Sequence, residues 1–182
     1  MKRLLLVLGC ALWLFTACGP RTYYSDIQTL PKERWKTSKP LTFTVDIADS
    51  MQYFNMFFNV RNTTDYETQN LYVFMRTTYP DGHSEQDTLE FILCDKFGRW
   101  TGRGQGRIKD NKFLFQPKVR FPNTGTYKFT VTQAMRTDEL HGISDFGITL
   151  ENFEDAQQDF SFEKGNYERE QKTIDFNLEE KP

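Results

Sequence analysis

The sequence predicts an all-β protein whose main domain is an antiparallel β-sandwich, immunoglobulin-like or jelly-roll-like. Seventeen Phe and eight Tyr are concentrated, with Val, Ile and Thr, in short runs that turn residues separate. Aromatic and β-branched residues of this kind favour strands over helices. Short strands that recur at intervals of roughly 8 to 16 residues are typical of a sandwich. The predicted strands are 41–47, 53–60, 71–79, 87–93, 112–119, 125–135 and 146–151.

Two local patterns support these strands. In 126–132, Tyr127, Phe129 and Val131 alternate with Thr and Lys, which predicts a strand with one buried face and one wet face. The sequence Pro80-Asp81-Gly82 lies between two predicted strands. Proline fixes φ and glycine tolerates positive φ, so this tripeptide predicts a hairpin turn.

The first residues have the tripartite form of an export signal. Lys2 and Arg3 precede an apolar run over 4–15, which is shorter than the roughly 20 residues that span a bilayer. The small-residue pair Thr16-Ala17 then precedes Cys18. We therefore predict a lipoprotein signal peptide over 1–17 and lipidation of Cys18, which would tether the mature chain to a membrane.

The rest of the chain divides into three predicted parts. Residues 18–38 carry Pro and charge with little periodicity, which predicts a flexible lipidated spacer. The β-sandwich domain is assigned to 39–160. Residues 161–182 are highly charged and too poor in apolar residues to offset the entropy of ordering, which predicts a flexible tail. An edge strand at 173–178 is the alternative, because apolar residues alternate there.

Composition excludes some classes of function. Loss of the signal leaves a mature net charge of about −4 from a whole-chain value of −2. That balance lacks the clustered cationic charge that nucleic-acid binding needs. Of three cysteines, Cys10 leaves with the signal and Cys18 takes lipid, so Cys94 remains as a single, inert, buried thiol.

The sequence offers no catalytic set, no metal site and no cofactor motif. His83 and His141 are the only histidines, and we interpret His83 as an exposed turn residue. The acidic residues near loops lack the spacing of a calcium loop. The glycine-rich run 98–106 lacks the Lys-Ser/Thr ending of a phosphate-binding loop. Its alternating glycines instead predict an extended strand or a bulged segment where another backbone or a partner approaches closely.

Several segments, in order, resemble one family of proteins. They are Tyr53-Phe54-Asn55-Met56-Phe57-Phe58-Asn59-Val60-Arg61-Asn62, Asn70-Leu71-Tyr72-Val73-Phe74, Asp87-Thr88-Leu89-Glu90, Gly98-Arg99-Trp100-Thr101-Gly102-Arg103-Gly104 and Gln133-Ala134-Met135-Arg136, followed by Leu140, Gly142-Ile143, Asp145 and Gly147. Together with the lipoprotein signal, they resemble the GldH family of gliding motility lipoproteins from the Bacteroidetes. The resemblance covers about residues 35–151. It implies a role in gliding and in the machinery of type IX secretion, with no enzymatic activity and no established catalytic residues.

The predicted function is therefore a non-enzymatic lipoprotein of the cell envelope that binds other motility or secretion-machinery proteins. The predicted partner surface is the glycine-rich strand together with a loop over 133–147. Its candidate residues are Arg99, Trp100, Arg103, Arg136, His141 and Asp145. Trp100 has two interpretations, a plug of the core or an exposed binding anchor.

Location and ligand class leave further alternatives. The residues just after Cys18 contain no acidic side chain, whereas surface export in the Bacteroidetes is linked to acidic residues there. This predicts a periplasm-facing protein, on either the inner or the outer membrane. A carbohydrate-binding lipoprotein of the envelope is the alternative function, which exposed aromatic residues aligned on one face would favour.

Overall fold

The computed structural model of the protein describes residues 21–153. A 3-10 turn at Pro31–Glu33 separates the first two strands. The strands that follow one another in this part of the chain are β1 Thr22–Thr29, β2 Arg34–Lys36, β3 Leu41–Ile47, β4 Tyr53–Thr63, β5 Asn70–Thr78, β6 Ser84–Ile92, β7 Ile108–Arg120, β8 Gly125–Gln133, β9 Glu139–His141 and β10 Ile143–Asn152.

Eight of these strands form two four-stranded antiparallel sheets. The first sheet has the order β1-β10-β4-β7, and the second has the order β3-β8-β5-β6. The short strands β2 and β9 pair as a separate two-stranded ribbon. This order, with chain crossovers between the sheets, is that of an eight-stranded jelly roll. The predicted sandwich is confirmed, and of its two forms the topology is the jelly roll.

Each of the seven predicted strands is present, with bounds shifted by a few residues. β3 has the predicted bounds, and Tyr127, Phe129 and Val131 of β8 are buried as the alternation predicts. Thr78 pairs with Ser84 across the predicted hairpin turn. β1, β2 and β9 were not predicted.

The predicted spacer is wrong from Thr22 onward. β1 pairs with β10 from Thr22–Glu151 to Thr29–Asp145, so it is an edge strand of the first sheet. Trp35 of β2 is fully buried and contacts Phe146 at 5.2 Å between ring centroids. The folded domain therefore begins at residue 22 rather than 39. The predicted signal peptide, Cys18 and the predicted tail lie outside the described residues.

Aromatic side chains fill the space between the sheets. Phe58 of β4 is fully buried, and its ring lies 5.3 Å from that of Phe91 and 5.8 Å from that of Phe146. Phe91 comes from the second sheet and Phe146 from the first, so these rings join the two layers. Tilted and edge-on ring pairs of this kind stabilise a core beyond their buried area.

The connections between strands lie at two opposite ends of the sandwich. The four-loop end is formed by residues 30–40, 64–69, 93–107 and 134–142, which connect strands there and include the β2–β9 ribbon. The terminal end is formed by the short connections 48–52, 79–83 and 121–124, together with Thr22 and Phe153. Both termini of the described domain thus lie at the end opposite the four-loop end.

Candidate partner-binding surface

Arg107 ties three connections of the four-loop end together. Its guanidinium donates to both carboxylate oxygens of Glu33, at 2.5 and 2.6 Å, and to Asp65 at 2.8 Å. The hydrogen bonds from Arg107 lower the pKa of Glu33, and those to Glu33 and Asp65 raise the pKa of Arg107. A planar guanidinium suits such a bidentate contact. Sequence reasoning missed all three residues.

The same junction holds two residues in an unfavourable backbone conformation. Lys32 and Glu33 have φ values of 58° and 56°, a region that residues other than glycine rarely occupy. The Glu33 carbonyl accepts a hydrogen bond from the Gly142 amide at 2.9 Å. The Glu33 side chain is fixed by Arg107. Strained backbone persists only where its surroundings over-determine it, and such residues cluster at binding sites.

The glycine-rich run is a loop, not the predicted strand. In this part of the described chain, strand-like backbone pairing is limited to two isolated β-bridges, Cys94–Trp100 and Arg103–Asp110. A Cβ on Gly102 would lie 2.8 Å from the Asn111 side chain, and one on Gly104 would lie 2.6 Å from the Ile108 carbonyl oxygen. Another backbone therefore approaches closely at Gly104 and a side chain at Gly102, whereas a Cβ on Gly98 or Gly106 would meet nothing within 4 Å.

Asn111 fixes that loop to the end of the core. Its amide donates to the Val60 carbonyl and to the Asn62 side chain, each at 3.0 Å. Its Oδ1 lies 3.2 Å from the Thr101 hydroxyl. Asn62 and Asn111 are both buried, and buried polar groups are stable only when they are hydrogen-bonded in this way.

The tip of the 93–107 loop presents Phe97 to solvent. Phe97 is 71% exposed and lies between Lys96 and Arg99, whose cationic groups are 5.1 and 5.3 Å from its ring centroid. The Asp95 carboxylate accepts from the backbone amides of Phe97 and Arg99, at 2.9 and 3.0 Å, and from the Arg99 guanidinium at 2.8 Å. The Arg99 amide is the main cause of the lowered pKa of Asp95. The tip is thus a fixed turn carrying an exposed ring.

Trp100 is half-buried and packs against the core. It bridges to Cys94, which is buried as predicted and whose thiol donates to the Asp95 carbonyl. Of the two interpretations of Trp100, its position is closer to that of a core plug. The more exposed aromatic side chain is Phe97, three residues earlier.

Asp145 belongs to a row of cross-strand partners in the first sheet, and Arg103 lies beside the end of that row. Thr29, Asp145, Arg61 and Asp110 are successive cross-strand partners, and Arg103 bridges to Asp110 by two backbone hydrogen bonds of 2.8 Å. Asp145 accepts from Thr29 at 2.7 Å and from Ser144 at 2.8 Å. These bonds within the sheet give Asp145 a structural role.

The predicted 133–147 loop is wrong over most of its length. β9 and the start of β10 lie within it, so His141 and Asp145 are strand residues. Only residues 134–138 form a loop, which the Gln133 side chain closes through bonds to the Met135 amide and the Thr137 carbonyl. Arg136 is exposed at this loop's tip.

His141 lies on the β2–β9 ribbon beside Arg34 and Lys36. Glu139 pairs with Arg34 at 2.9 Å, Lys36 at 3.2 Å and His141 at 3.6 Å. The hydrogen bond from Lys36 is the largest cause of the lowered pKa of Glu139. The four segments of the four-loop end together contain nine Lys or Arg against six Asp or Glu, although the whole chain has a net charge of −2.

A second exposed region lies on the outer face of the second sheet. Tyr72 and Phe74 are exposed on the same face of β5, two residues apart. Ile92 is exposed on the adjacent strand and diagonal to Tyr72, whose direct partner is Glu90. These three side chains form a small apolar strip bordered by polar residues.

Within residues 21–153, no group of three His, Cys, Asp or Glu is arranged to hold a metal ion. His83 is exposed in the turn, as predicted, and hydrogen-bonds to Asp81 at 2.5 Å. No helix of the described part has the length and apolar character to span a bilayer.

The domain is thus a jelly roll whose most distinctive surface is a set of interlocked loops at one end. Residues 22–150 match the sequence profile described as GldH lipoprotein. The chain belongs to the GldH lipoprotein family, and the predicted resemblance is confirmed.

Two relatives carry related names. The gliding motility lipoprotein GldH homolog of Christiangramia forsetii is 32% identical over 145 residues, covering 76% of this chain and 88% of that protein. The gliding motility lipoprotein GldH of Flavobacterium johnsoniae is 28% identical over 153 residues, covering 80% and 94%. Both are named as motility lipoproteins and neither as an enzyme. Membership of a lipoprotein family implies a membrane-anchored envelope protein.

Among solved structures, TmCBM61 in complex with β-1,4-galactotriose matches with a TM-score of 0.27 at 9% identity, over 76% of this chain and 86% of that chain. A likeness this weak carries no argument about ligand or function.

Proposed function

We propose that this protein is a non-enzymatic lipoprotein, anchored through Cys18, that contributes to gliding motility or type IX secretion-associated machinery by binding other envelope proteins. The proposed partner surface is the four-loop end, where Arg99, Arg103, Arg136 and His141 lie. Family membership supports the cellular role. The absence of acidic residues just after Cys18 supports a periplasm-facing position.

The observation that carries the binding proposal is the exposed ring of Phe97 on a fixed turn. Exposing a large apolar side chain to water is unfavourable, and its burial in a partner's pocket would contribute to binding. Because Asp95 already fixes the turn through three hydrogen bonds, little ordering entropy would be lost on association.

The charge of the four-loop end indicates the chemistry of the partner. Lys96 and Arg99 flank the ring, and Arg34 and Lys36 both pair with Glu139 on the ribbon. Complementary charge raises association rates and selects the partner. The proposed partner therefore offers an apolar pocket with an acidic rim.

Pull-down of the detergent-solubilised lipoprotein tests this proposal. Phe97→Ser should abolish recovery of the bound protein while the melting temperature stays unchanged, because an exposed side chain contributes little to stability. Ile27→Ser, on the outer face of the first sheet, is the matched control and should retain the partner. Equal recovery with wild type and Phe97→Ser would refute the proposed surface.

The second candidate function is carbohydrate binding, which the exposed strip of Tyr72 and Phe74 favours. Aromatic faces can stack on sugar rings, and Arg76, Gln86 and Glu90 on the same face offer hydrogen-bonding groups for hydroxyls. Retention on a glycan array that Phe74→Ser removes would support this candidate. No retention by the wild-type domain would eliminate it.

A further inference from the structure

We infer that the terminal end of the sandwich lies against the bilayer, so that the four-loop end points away from the membrane. This inference rests on lipidation of Cys18 and goes beyond the proposed partner binding. The tether between Cys18 and the folded domain is short. Cys18 precedes Thr22, where β1 begins, by four residues. Even a fully extended chain of that length spans only about 14 Å.

Thr22 lies at the terminal end of the first sheet. Thr22 pairs with Glu151 near the end of β10, while Thr29 pairs with Asp145 near its start. The Tyr23 hydroxyl donates to the Asp46 carbonyl at 2.8 Å and accepts from the Ala48 amide at 3.2 Å. The start of β1 is therefore fixed beside the 48–52 connection. A tether attached there draws the terminal end toward the bilayer.

The terminal end presents exposed apolar and aromatic side chains. Met51 in the 48–52 connection is 68% exposed, and Tyr53 is exposed at the start of β4. The Lys118 ammonium lies 5.3 Å from the Tyr53 ring centroid and 5.4 Å from that of Phe153. An amphipathic tyrosine and a long cationic side chain are groups that favour the interface between headgroups and acyl chains.

The backbone conformation at Lys118 fixes the direction of its side chain. Lys118 has a φ of 51°, in the left-handed region, and its amide donates to the buried Asn55 side chain at 3.1 Å. The register of β7 against β4 shifts nearby, between Phe54 and Phe57. Irregularities at a sheet's rim redirect side chains, and here the result is a cation over two aromatic rings.

The distance between the two ends makes the inference testable. β10 has ten residues, and a strand rises about 3.3 Å per residue, so the four-loop end lies roughly 30 Å from the terminal end. Of the three tryptophans, Trp13 belongs to the predicted signal peptide, and Trp35 and Trp100 both lie at the four-loop end. The mature protein thus carries natural reporters only at the end that should be far from lipid.

Quenching by brominated lipids tests the orientation on the full lipidated chain, reconstituted in phosphatidylethanolamine and phosphatidylglycerol vesicles. Wild-type fluorescence should be unaffected by bromine in the acyl chains. Met51→Trp should add an emission that brominated lipid suppresses and that shifts to shorter wavelength. Phe97→Trp, an equally exposed position at the other end, should add an emission that is not quenched.

Two results would overturn the orientation. Quenching of Trp35 and Trp100 in the wild-type protein would place the four-loop end at the bilayer. Unquenched emission from Met51→Trp would show that the terminal end does not contact lipid. The pull-down with Phe97→Ser measures partner binding without reference to lipid contact, so failure of the orientation is distinguishable from failure of the proposed function.

Discussion

The two ends of the jelly roll are made by the same strands but differ in how their connections are held. At the terminal end the connections are short, and the 79–83 turn closes its hairpin by local hydrogen bonds, including Gly82 to Tyr79 at 2.9 Å. At the four-loop end, longer connections depend on one another through Arg107, Glu33 and Gly142. Connections closed by local hydrogen bonds are independent of one another, whereas interdependent loops can hold side chains such as Phe97 in a fixed arrangement for recognition.

Two glycines with the same φ give the largest expected contrast between the ends. Gly142 and Gly82 both have a φ of 89°, but a Cβ on Gly142 would lie 2.8 Å from the Tyr66 backbone, whereas one on Gly82 meets nothing within 4 Å. Gly82→Ala should cost about 1 kcal/mol, from the left-handed conformation alone. Gly142→Ala should cost roughly 3 kcal/mol, because the clash adds to that strain.

Urea denaturation of both variants measures the difference in the free energy of unfolding. Equal costs would show that the packing of the four-loop end is no tighter than that of the terminal turn.

Asn111→Ala should cost about 2 kcal/mol, because the buried Asn62 side chain and the Val60 carbonyl lose the hydrogen bonds that Asn111 donates. The 98–106 segment should also lose its attachment and become accessible to protease. Asn70→Ala is the control, since Asn70 bonds to Glu90 on the exposed surface, and it should change stability by less than about 0.5 kcal/mol. Chemical denaturation measures the free energy of unfolding, and limited proteolysis measures the accessibility of the 98–106 segment. Unchanged protease resistance in Asn111→Ala would show that Asn111 does not attach this segment.

Arg107→Gln should loosen the four-loop end without unfolding the domain. The variant keeps a hydrogen-bonding side chain but loses the charge that holds Glu33 and Asp65. Amide hydrogen exchange should accelerate at Gly142 and Thr64, whose amides donate to the Glu33 and Arg107 carbonyls, and should stay unchanged at Gly82. Arg34→Gln, which breaks an exposed pair with Glu139, should leave those rates near wild type. Uniform acceleration at both ends would argue against a local clamp.

Acidification should weaken the four-loop end through Glu33. Hydrogen bonds from Arg107 lower the pKa of this carboxyl below its usual value, so its stabilisation is complete above the ordinary glutamate pKa of about 4.3. That stabilisation is lost as the pH falls through the lowered value. Hydrogen exchange at Gly142 should therefore rise below about pH 4, after correction for the intrinsic rate. The extra acid sensitivity should be missing in Arg107→Gln, and its persistence there would exclude Glu33 as the titrating group.

The central strands were predictable because one face of each meets the core. β3 alternates Phe43, Val45 and Ile47 with polar residues and was predicted with its observed bounds. β1 has the reverse pattern, because Tyr24, Asp26 and Gln28 face inward opposite apolar residues of β10 while Ile27 faces out. Burial raises the pKa of Tyr24 to about 12. Edge strands often carry inward-pointing polar residues. Such a strand lacks the apolar periodicity from which the other strands are predicted.

The candidate surface was predictable only in its location. Arg99, Arg103, Arg136 and His141 do lie at one end of the sandwich, because strands β6 to β10 begin or end there. The sequence leaves Trp100 as either a core plug or a binding anchor, whereas Asp95 and Gly98 around Phe97 are typical of a tight turn with an exposed tip. The Arg107 clamp joins residues 74 and 42 positions apart, and no local pattern encodes such a tertiary contact.

The most direct test of the account is site-specific photo-crosslinking in intact cells, with the crosslinking residue at position 97 or at position 51. These positions are similarly exposed but lie at opposite ends of the domain. The account predicts a discrete protein adduct from position 97, and lipid adducts without that protein from position 51. The same protein adduct from position 51, or lipid adducts from position 97, would contradict it.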